Sequence, residues 1–296
     1  MIINTIDNDA PMTCTVSWEI SNKCNYSCWY CPSRLHSGTS GWPDFQKSLD
    51  FFNFLSQKNE YVYITMMGGE PTLWPKLTEF LQKLPKNVFA EVTTNGSRTM
   101  AWWEKTKPYL DKVVFSFHAN SAKEEHVFSV AKMLKISGIE THVLLLFDPA
   151  CEDRLYEFAK KLKKEEIEYQ FKAIFPNFGP KMIDYTEKQK ETIIKDRFFL
   201  KSGEKIKPKK IIINNSTTVT ASEIVIENAH KFYGFSCMAG SKRLHISCDQ
   251  EIFAGSCLSK KLGTLNEPNL ANRPIICPKQ SCHCLDDVIV TKWRNA

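Results

Sequence analysis

Residues 13–31 read TCTVSWEISNKCNYSCWYC. The first half is a strand signal: Thr13–Ser21 is rich in β-branched and aromatic residues, which suit a pleated surface. The second half is a loop with three cysteines, Cys24, Cys28 and Cys31. A helix is expected from Asp44, behind Pro43, with Phe45, Leu49, Phe52 and Leu55 on one face.

Downstream this strand–loop–helix unit recurs. Strands are expected at Tyr61–Met67, Phe89–Thr94, Val113–Phe117, Thr141–Phe147 and Tyr169–Phe175. Helices are expected over Trp74–Leu84, Thr99–Leu110, Glu124–Ser137 and Glu152–Lys164. Six β-then-α units in series imply parallel strands with right-handed crossovers. Runs such as VVFSF and HVLLLF are apolar on both faces, as strands covered on both sides should be. The expected fold is α/β, a partial (β/α)6 TIM-like barrel over residues 13–180, with an open flavodoxin-like sheet as the alternative. Either places ligands at the C-terminal ends of the strands.

Composition narrows the function. The chain has 296 residues, 43% hydrophobic and 24% charged, with a net charge of +6. That excludes bulk disorder and falls short of a dedicated nucleic-acid binder. No secretory signal opens the sequence, and no run reaches the ~18–20 apolar residues of a membrane span. The expected location is cytoplasmic, where disulfides do not persist. Eleven cysteines are then best read as ligands. Three within eight residues are one short of a structural zinc site and of the usual four-cysteine cluster. A [4Fe–4S] cluster with one open iron fits that count.

At this point the sequence resembles the radical SAM superfamily. The resemblance covers about Thr13 to Phe175 and rests on C-x3-C-x2-C after the first strand, with aromatic Tyr30 before the last cysteine. Gly68–Gly69–Glu70–Pro71 at the end of the second strand resembles the family's GGEP motif, which contacts the methionyl amino group. Thr94 and Asn95, before Gly96, resemble a polar motif at the third strand end, and Ser116 and His118 at the fourth lie where the family often contacts ribose. No match to the adenine-contacting glycine motif stands near the fifth strand. The resemblance implies that the open iron binds S-adenosylmethionine, that an electron cleaves its C–S bond, and that a 5′-deoxyadenosyl radical abstracts a substrate hydrogen atom.

Residues 181–230 are expected to form an extension. Within it, residues 181–210 carry ten basic and five acidic side chains, which reads as a solvated, partly helical linker or as an electropositive lip. Residues 231–296 hold Cys237, Cys248, Cys257, Cys277, Cys282 and Cys284, with too little core to fold without a metal or cluster. The pattern resembles a twitch or shortened SPASM module with one auxiliary [4Fe–4S] cluster. Cys237, Cys257, Cys282 and Cys284 are the favoured ligands, with Cys277 close behind, and Cys248 is read as lying mid-strand and not ligating. A zinc site, with His283 as a possible ligand, is the competing reading. Cys14, Cys151 and Cys248 remain candidate hydrogen-atom donors; Trp102, Trp103, Phe51, Phe52 and Phe54 read as packing.

The expected function is therefore a radical SAM oxidoreductase, with modification of a ribosomally made peptide preferred over oxidation or epimerisation of an anionic sugar or nucleotide. The short stretch before Cys24, too small for a fused leader-recognition domain, counts against a leader-guided peptide. A flavodoxin or ferredoxin is the expected electron donor. A glycyl-radical activase and a zinc-binding nucleic-acid module are the remaining alternatives.

Overall fold

A computed structural model describes residues 3–8, 13–179, 181–198, 211–214, 217–219, 224, 229–282 and 284–294. The barrel strands are β2 (Thr13–Glu19), β3 (Tyr61–Met67), β4 (Val88–Thr94), β5 (Lys112–Phe117), β6 (Glu140–Leu146) and β7 (Glu168–Lys172). They pair parallel in sequence order, giving the partial (β/α)6 barrel. Between them run α1 (Phe45–Lys58), α2 (Leu77–Lys83), α3 (Met100–Thr106), α4 (Glu124–Ile136) and α5 (Glu152–Lys164).

Local chemistry sets the helix ends. The Asp44 carboxylate accepts from the Lys47 N–H to start α1, and the Thr99 hydroxyl accepts from Trp102 to start α3, each satisfying an otherwise unpaired donor. The expected helix over Trp74–Leu84 begins only at Leu77, because Pro71–Leu73 first forms a 3-10 turn. The expected Thr99–Leu110 helix tightens into a 3-10 turn at Lys107–Tyr109, where Pro108 cannot donate the next helical bond. Trp18, Phe52, Trp74 and Phe80 form an aromatic cluster with ring centroids 5.3–5.8 Å apart, all essentially buried. Phe51 and Trp103 are also core, while Phe54 and Trp102 pack at its margin.

The C-terminal region is woven into this barrel. The hairpin β12 (Arg243–Ile246) and β13 (Glu251–Ala254), with β14 (Lys261–Thr264), extends the same sheet, and β12 runs parallel to β2. At the opposite edge β8 (Arg197–Phe198) pairs with β7. A second sheet joins both ends of the chain: β1 (Thr5–Asn8), β9 (Ile211–Ile213), β10 (Thr217–Val219), β11 (Ser236–Cys237), β15 (Ile275–Ile276) and β16 (Lys292–Trp293), in the order β10-β9-β1-β16-β11-β15. Strands of two to four residues carry almost no periodicity, which is why the sequence does not announce them. Within the basic stretch, α6 (Glu187–Lys195) opens with a capping box and buries no residue. Residues 199–210 of that stretch and His283 lie outside the described residues. No described helix is long and apolar enough to cross a membrane.

Candidate active site

The loop after β2 places Cys24, Cys28 and Cys31 together at the C-terminal mouth of the barrel, each half-buried. The Cys31 N–H donates to the Cys28 carbonyl at 3.0 Å, and the Tyr26 N–H donates to Cys24 Sγ at 3.4 Å. Burial pushes all three thiols above their usual pKa, Cys31 up to about 11, and no nearby cation outweighs it. That is the wrong environment for a free thiolate nucleophile and a suitable one for ligands whose protons a metal displaces. Among the described residues no three Cys, His, Asp or Glu side chains stand close enough to hold a single metal ion. Three thiols with neither histidine nor carboxylate among them fit an iron–sulfur cluster with one open position.

The end of β3 closes directly onto this loop. The Gly69 and Glu70 N–H groups donate to the Ser21 and Lys23 carbonyls, both at 2.8 Å. A Cβ on Gly69 would lie 2.3 Å from the Lys23 oxygen, and one on Gly68, which has φ +126°, would lie 2.6 Å from the Ser21 oxygen. Only glycine permits that approach.

Glu70, expected as an acceptor for a methionyl ammonium, is also engaged within the protein. Its carboxylate is 1% exposed and accepts four hydrogen bonds: from the Thr72 N–H (3.0 Å) and hydroxyl (2.6 Å), the Thr94 hydroxyl (2.8 Å) and the Asn95 N–H (2.6 Å). It therefore staples the ends of β3 and β4. Burial pushes its pKa up, against the opposing pull of these donors. Pro71 is buried at the head of the following turn. Thr94 Oγ1 accepts from the Gly96 N–H, and Asn95 Nδ2 donates to Asn25 Oδ1 at 2.9 Å, beside Cys24. Glu70→Gln is expected to destabilise the metal-free protein by about 1–3 kcal/mol, since the new amide sets donors against donors. Thermal unfolding checks this, and an unchanged midpoint would contradict the staple.

On the other side of the loop, the Tyr30 hydroxyl and His118 Nδ1 share a hydrogen bond of 2.6 Å, and the rings stack with centroids 5.8 Å apart. Burial and the charge of Lys172 push the His118 pKa down to about 4, so the ring is neutral. Ser116 is half-buried near the end of β5. One residue here was not anticipated. Asp148, after β6, accepts from Trp29 Nε1 at 3.3 Å and Asn120 Nδ2 at 2.7 Å, tying the cysteine loop to the far side of the barrel. The available signal was an acidic residue at a strand's C-terminal end.

A second cysteine group lies in the C-terminal region. Cys237, Cys257, Cys277 and Cys282 line one small cavity together with Phe232 and Lys292. Cys284, one of the favoured four, is not among them. It caps α7 (Leu285–Val288) and sits near Asp286, Asp287 and Arg243. Cys277 takes its place because β15 pairs with β11 and brings it beside Cys237. Cys248 lies in the turn of the hairpin, not mid-strand. Cys14 is fully buried near the start of β2, at the end of the strand away from the site. Cys151 donates to Asn120 Oδ1 at 2.8 Å.

A sequence model of the Radical SAM superfamily matches residues 18–174, more than half of the chain. No curated protein matches. Among solved structures, "Native anSMEcpe with bound AdoMet" is similar with a TM-score of 0.55 and 15% identity, over 87% of this chain and 79% of that one. The same protein with bound AdoMet and the Kp18Cys peptide gives a TM-score of 0.55 at 15% identity, over 88% and 79%. Streptococcus suis SuiB bound to precursor peptide SuiA gives 0.52 at 14%, over 82% of this chain and 58% of that one. At these identities the likeness is one of fold.

Proposed function

The chain belongs to the radical SAM superfamily, and from that premise we propose that it is a peptide-modifying oxidoreductase of that class. Membership makes it an iron–sulfur enzyme that uses a [4Fe–4S] cluster and S-adenosylmethionine. We assign the cluster to Cys24, Cys28 and Cys31; the observation that carries this is the loop of three half-buried thiols drawn against Gly68 and Gly69. When bound, the cluster and S-adenosylmethionine supply hydrogen-atom abstraction through a 5′-deoxyadenosyl radical.

The protein's own residues hold the geometry. Glu70, Thr72, Thr94 and Asn95 lock the ends of β3 and β4, and Asp148 holds Trp29 from across the mouth. Tyr30 and the neutral His118 form a rigid pair beside the cysteines. The carbonyls of Gly68 and Gly69, the Glu70 carboxylate and the Ser116 hydroxyl would help to orient S-adenosylmethionine. Such fixed positioning is the protein's part in cofactor chemistry.

A second, auxiliary [4Fe–4S] cluster in the cavity of Cys237, Cys257, Cys277 and Cys282 completes the reading. Cys277→Ser is expected to lower iron from about eight to about four per chain, while Cys284→Ser keeps about eight; the reverse would return Cys284 to the ligand set. A peptide substrate is favoured because the similar folds anSMEcpe and SuiB were solved with peptides. Anaerobic incubation with S-adenosylmethionine and dithionite should yield 5′-deoxyadenosine, and no product would overturn the enzyme reading. With a peptide encoded beside this gene, deuterium from the labelled peptide should appear in the 5′-deoxyadenosine. Transfer from an anionic sugar or nucleotide instead would replace the peptide.

A further inference from the structure

One part of the four-cysteine cavity wall is Lys292. It lies on β16, directly opposite Cys237 on β11 in an antiparallel pair. The two side chains therefore leave the sheet on the same face, with Cβ atoms about 5 Å apart. Lys292 is only 2% exposed. A lysine is almost never buried to that degree without a paired anion. Among the described residues no carboxylate pairs with it. Asp287, the one carboxylate in the cavity wall, is committed to Arg243 and to the N–H groups of Ser256 and Cys257.

Lys292 rests on neutral groups instead. Its Nζ donates to the Asp287 carbonyl at 2.7 Å and the Val288 carbonyl at 2.9 Å, and stands 4.4 Å from the centroid of the Phe232 ring. An ammonium carries three donors, and among the described residues these carbonyls take two. Two carbonyls and a ring face solvate a buried cation without neutralising it. Apart from Asp287, the rest of the wall is apolar side chains, Ser259 and the four thiols. The anion this wall can supply is the four thiols themselves, once a bound metal centre displaces their protons.

We propose that Lys292 is the built-in counter-charge of the auxiliary cluster, holding the anionic centre in its cavity and raising its reduction potential. The proposal rests on the four-cysteine reading above. Four thiolates outweigh the positive core of a [4Fe–4S] cluster, so the loaded site is an anion. One electron added without a proton makes it more so. A fixed cation in a poorly solvated wall favours the more negative state, which is the reduced one.

The test is an anaerobic redox titration of the cluster-loaded enzyme, read by electron paramagnetic resonance, in Lys292→Met, Lys292→Gln and Lys292→Arg. At a fixed poise, the ratio of reduced to oxidised auxiliary cluster should fall about tenfold in the methionine and glutamine variants, a midpoint lower by about 59 mV. Lys292→Arg, which keeps the charge, should keep the wild-type midpoint. Glutamine can still donate to a carbonyl of α7, so a residue that served only to cap that helix would be rescued by it. The cluster assigned to Cys24, Cys28 and Cys31, whose signal should change on adding S-adenosylmethionine, is the internal reference and should not move. Iron per chain is measured alongside. About four irons in the methionine and glutamine variants, with about eight in the arginine variant, would show the charge holding the cluster. Unchanged midpoints in the methionine and glutamine variants overturn the proposal. So does a wild-type midpoint in the glutamine variant alone, or loss of the cluster from all three variants, which would assign the side chain to packing. Wild-type enzyme that holds only about four irons, or zinc without sulfide, overturns the four-cysteine reading instead.

Discussion

Cys28→Ala protein, prepared without oxygen, is expected to hold about four fewer irons per chain than the wild type and to form 5′-deoxyadenosine no faster than a protein-free control. Cys28 is the middle of the three proposed ligands, and its carbonyl also accepts the Cys31 N–H that turns the loop. Removing it leaves two of the three thiols proposed to hold the catalytic cluster. The fold should be indifferent. The side chain is half-buried in a loop, so the metal-free protein should keep its stability to within about 0.5 kcal/mol. Cys248→Ser, in the hairpin turn, serves as the matched control and should keep both iron and activity. Iron analysis and product chromatography on the two variants check the assignment; activity in Cys28→Ala would falsify it.

The barrel was legible because its strands are five to seven residues long and its helices show a clear apolar face. Their order alone dictates a parallel sheet. The candidate cluster loop was legible because its three thiols lie within eight residues. Where contacts between distant segments decide, the sequence is mute. Glu70 reads as a free acceptor until Thr94 and Asn95, more than twenty residues on, are seen to surround it. Spacing could not rank Cys277 against Cys284, because the choice depends on β11 pairing with β15 and on the chain turning into α7 at Cys284. Likewise, nothing local reveals that Thr5–Asn8 completes a sheet with strands about 200 and 290 residues further along.

The largest stability effect is expected at the joint between barrel and C-terminal region. Arg243 on β12 and Asp287 on α7 are 4% and 3% exposed, and Arg243 Nε donates to Asp287 Oδ1 at 3.1 Å. Burial works against the charge on Arg243, but Asp286 and Asp287 outweigh it and raise its pKa. The same carboxylate accepts the N–H groups of Ser256 (3.2 Å) and Cys257 (2.7 Å). Ser256 in turn meets Ser17 on β2 and the second arm of Arg243. Asp287→Ala therefore leaves the buried Arg243 with only the exposed Asp286 as a counter-charge and unpairs two part-buried N–H donors at once. Breaking one side of such a pair costs about 3–5 kcal/mol, to be read as a lower urea midpoint of the metal-free protein. Asp287→Asn should cost less, because an amide oxygen still serves the Cys257 N–H. Arg243→Met should also cost less, because Asp287 keeps both N–H donors. A loss below about 1 kcal/mol in Asp287→Ala would mean that the joint is held by apolar packing alone. The predicted order, alanine worse than asparagine at 287, holds only if this carboxylate ties the Cys257 loop to the barrel.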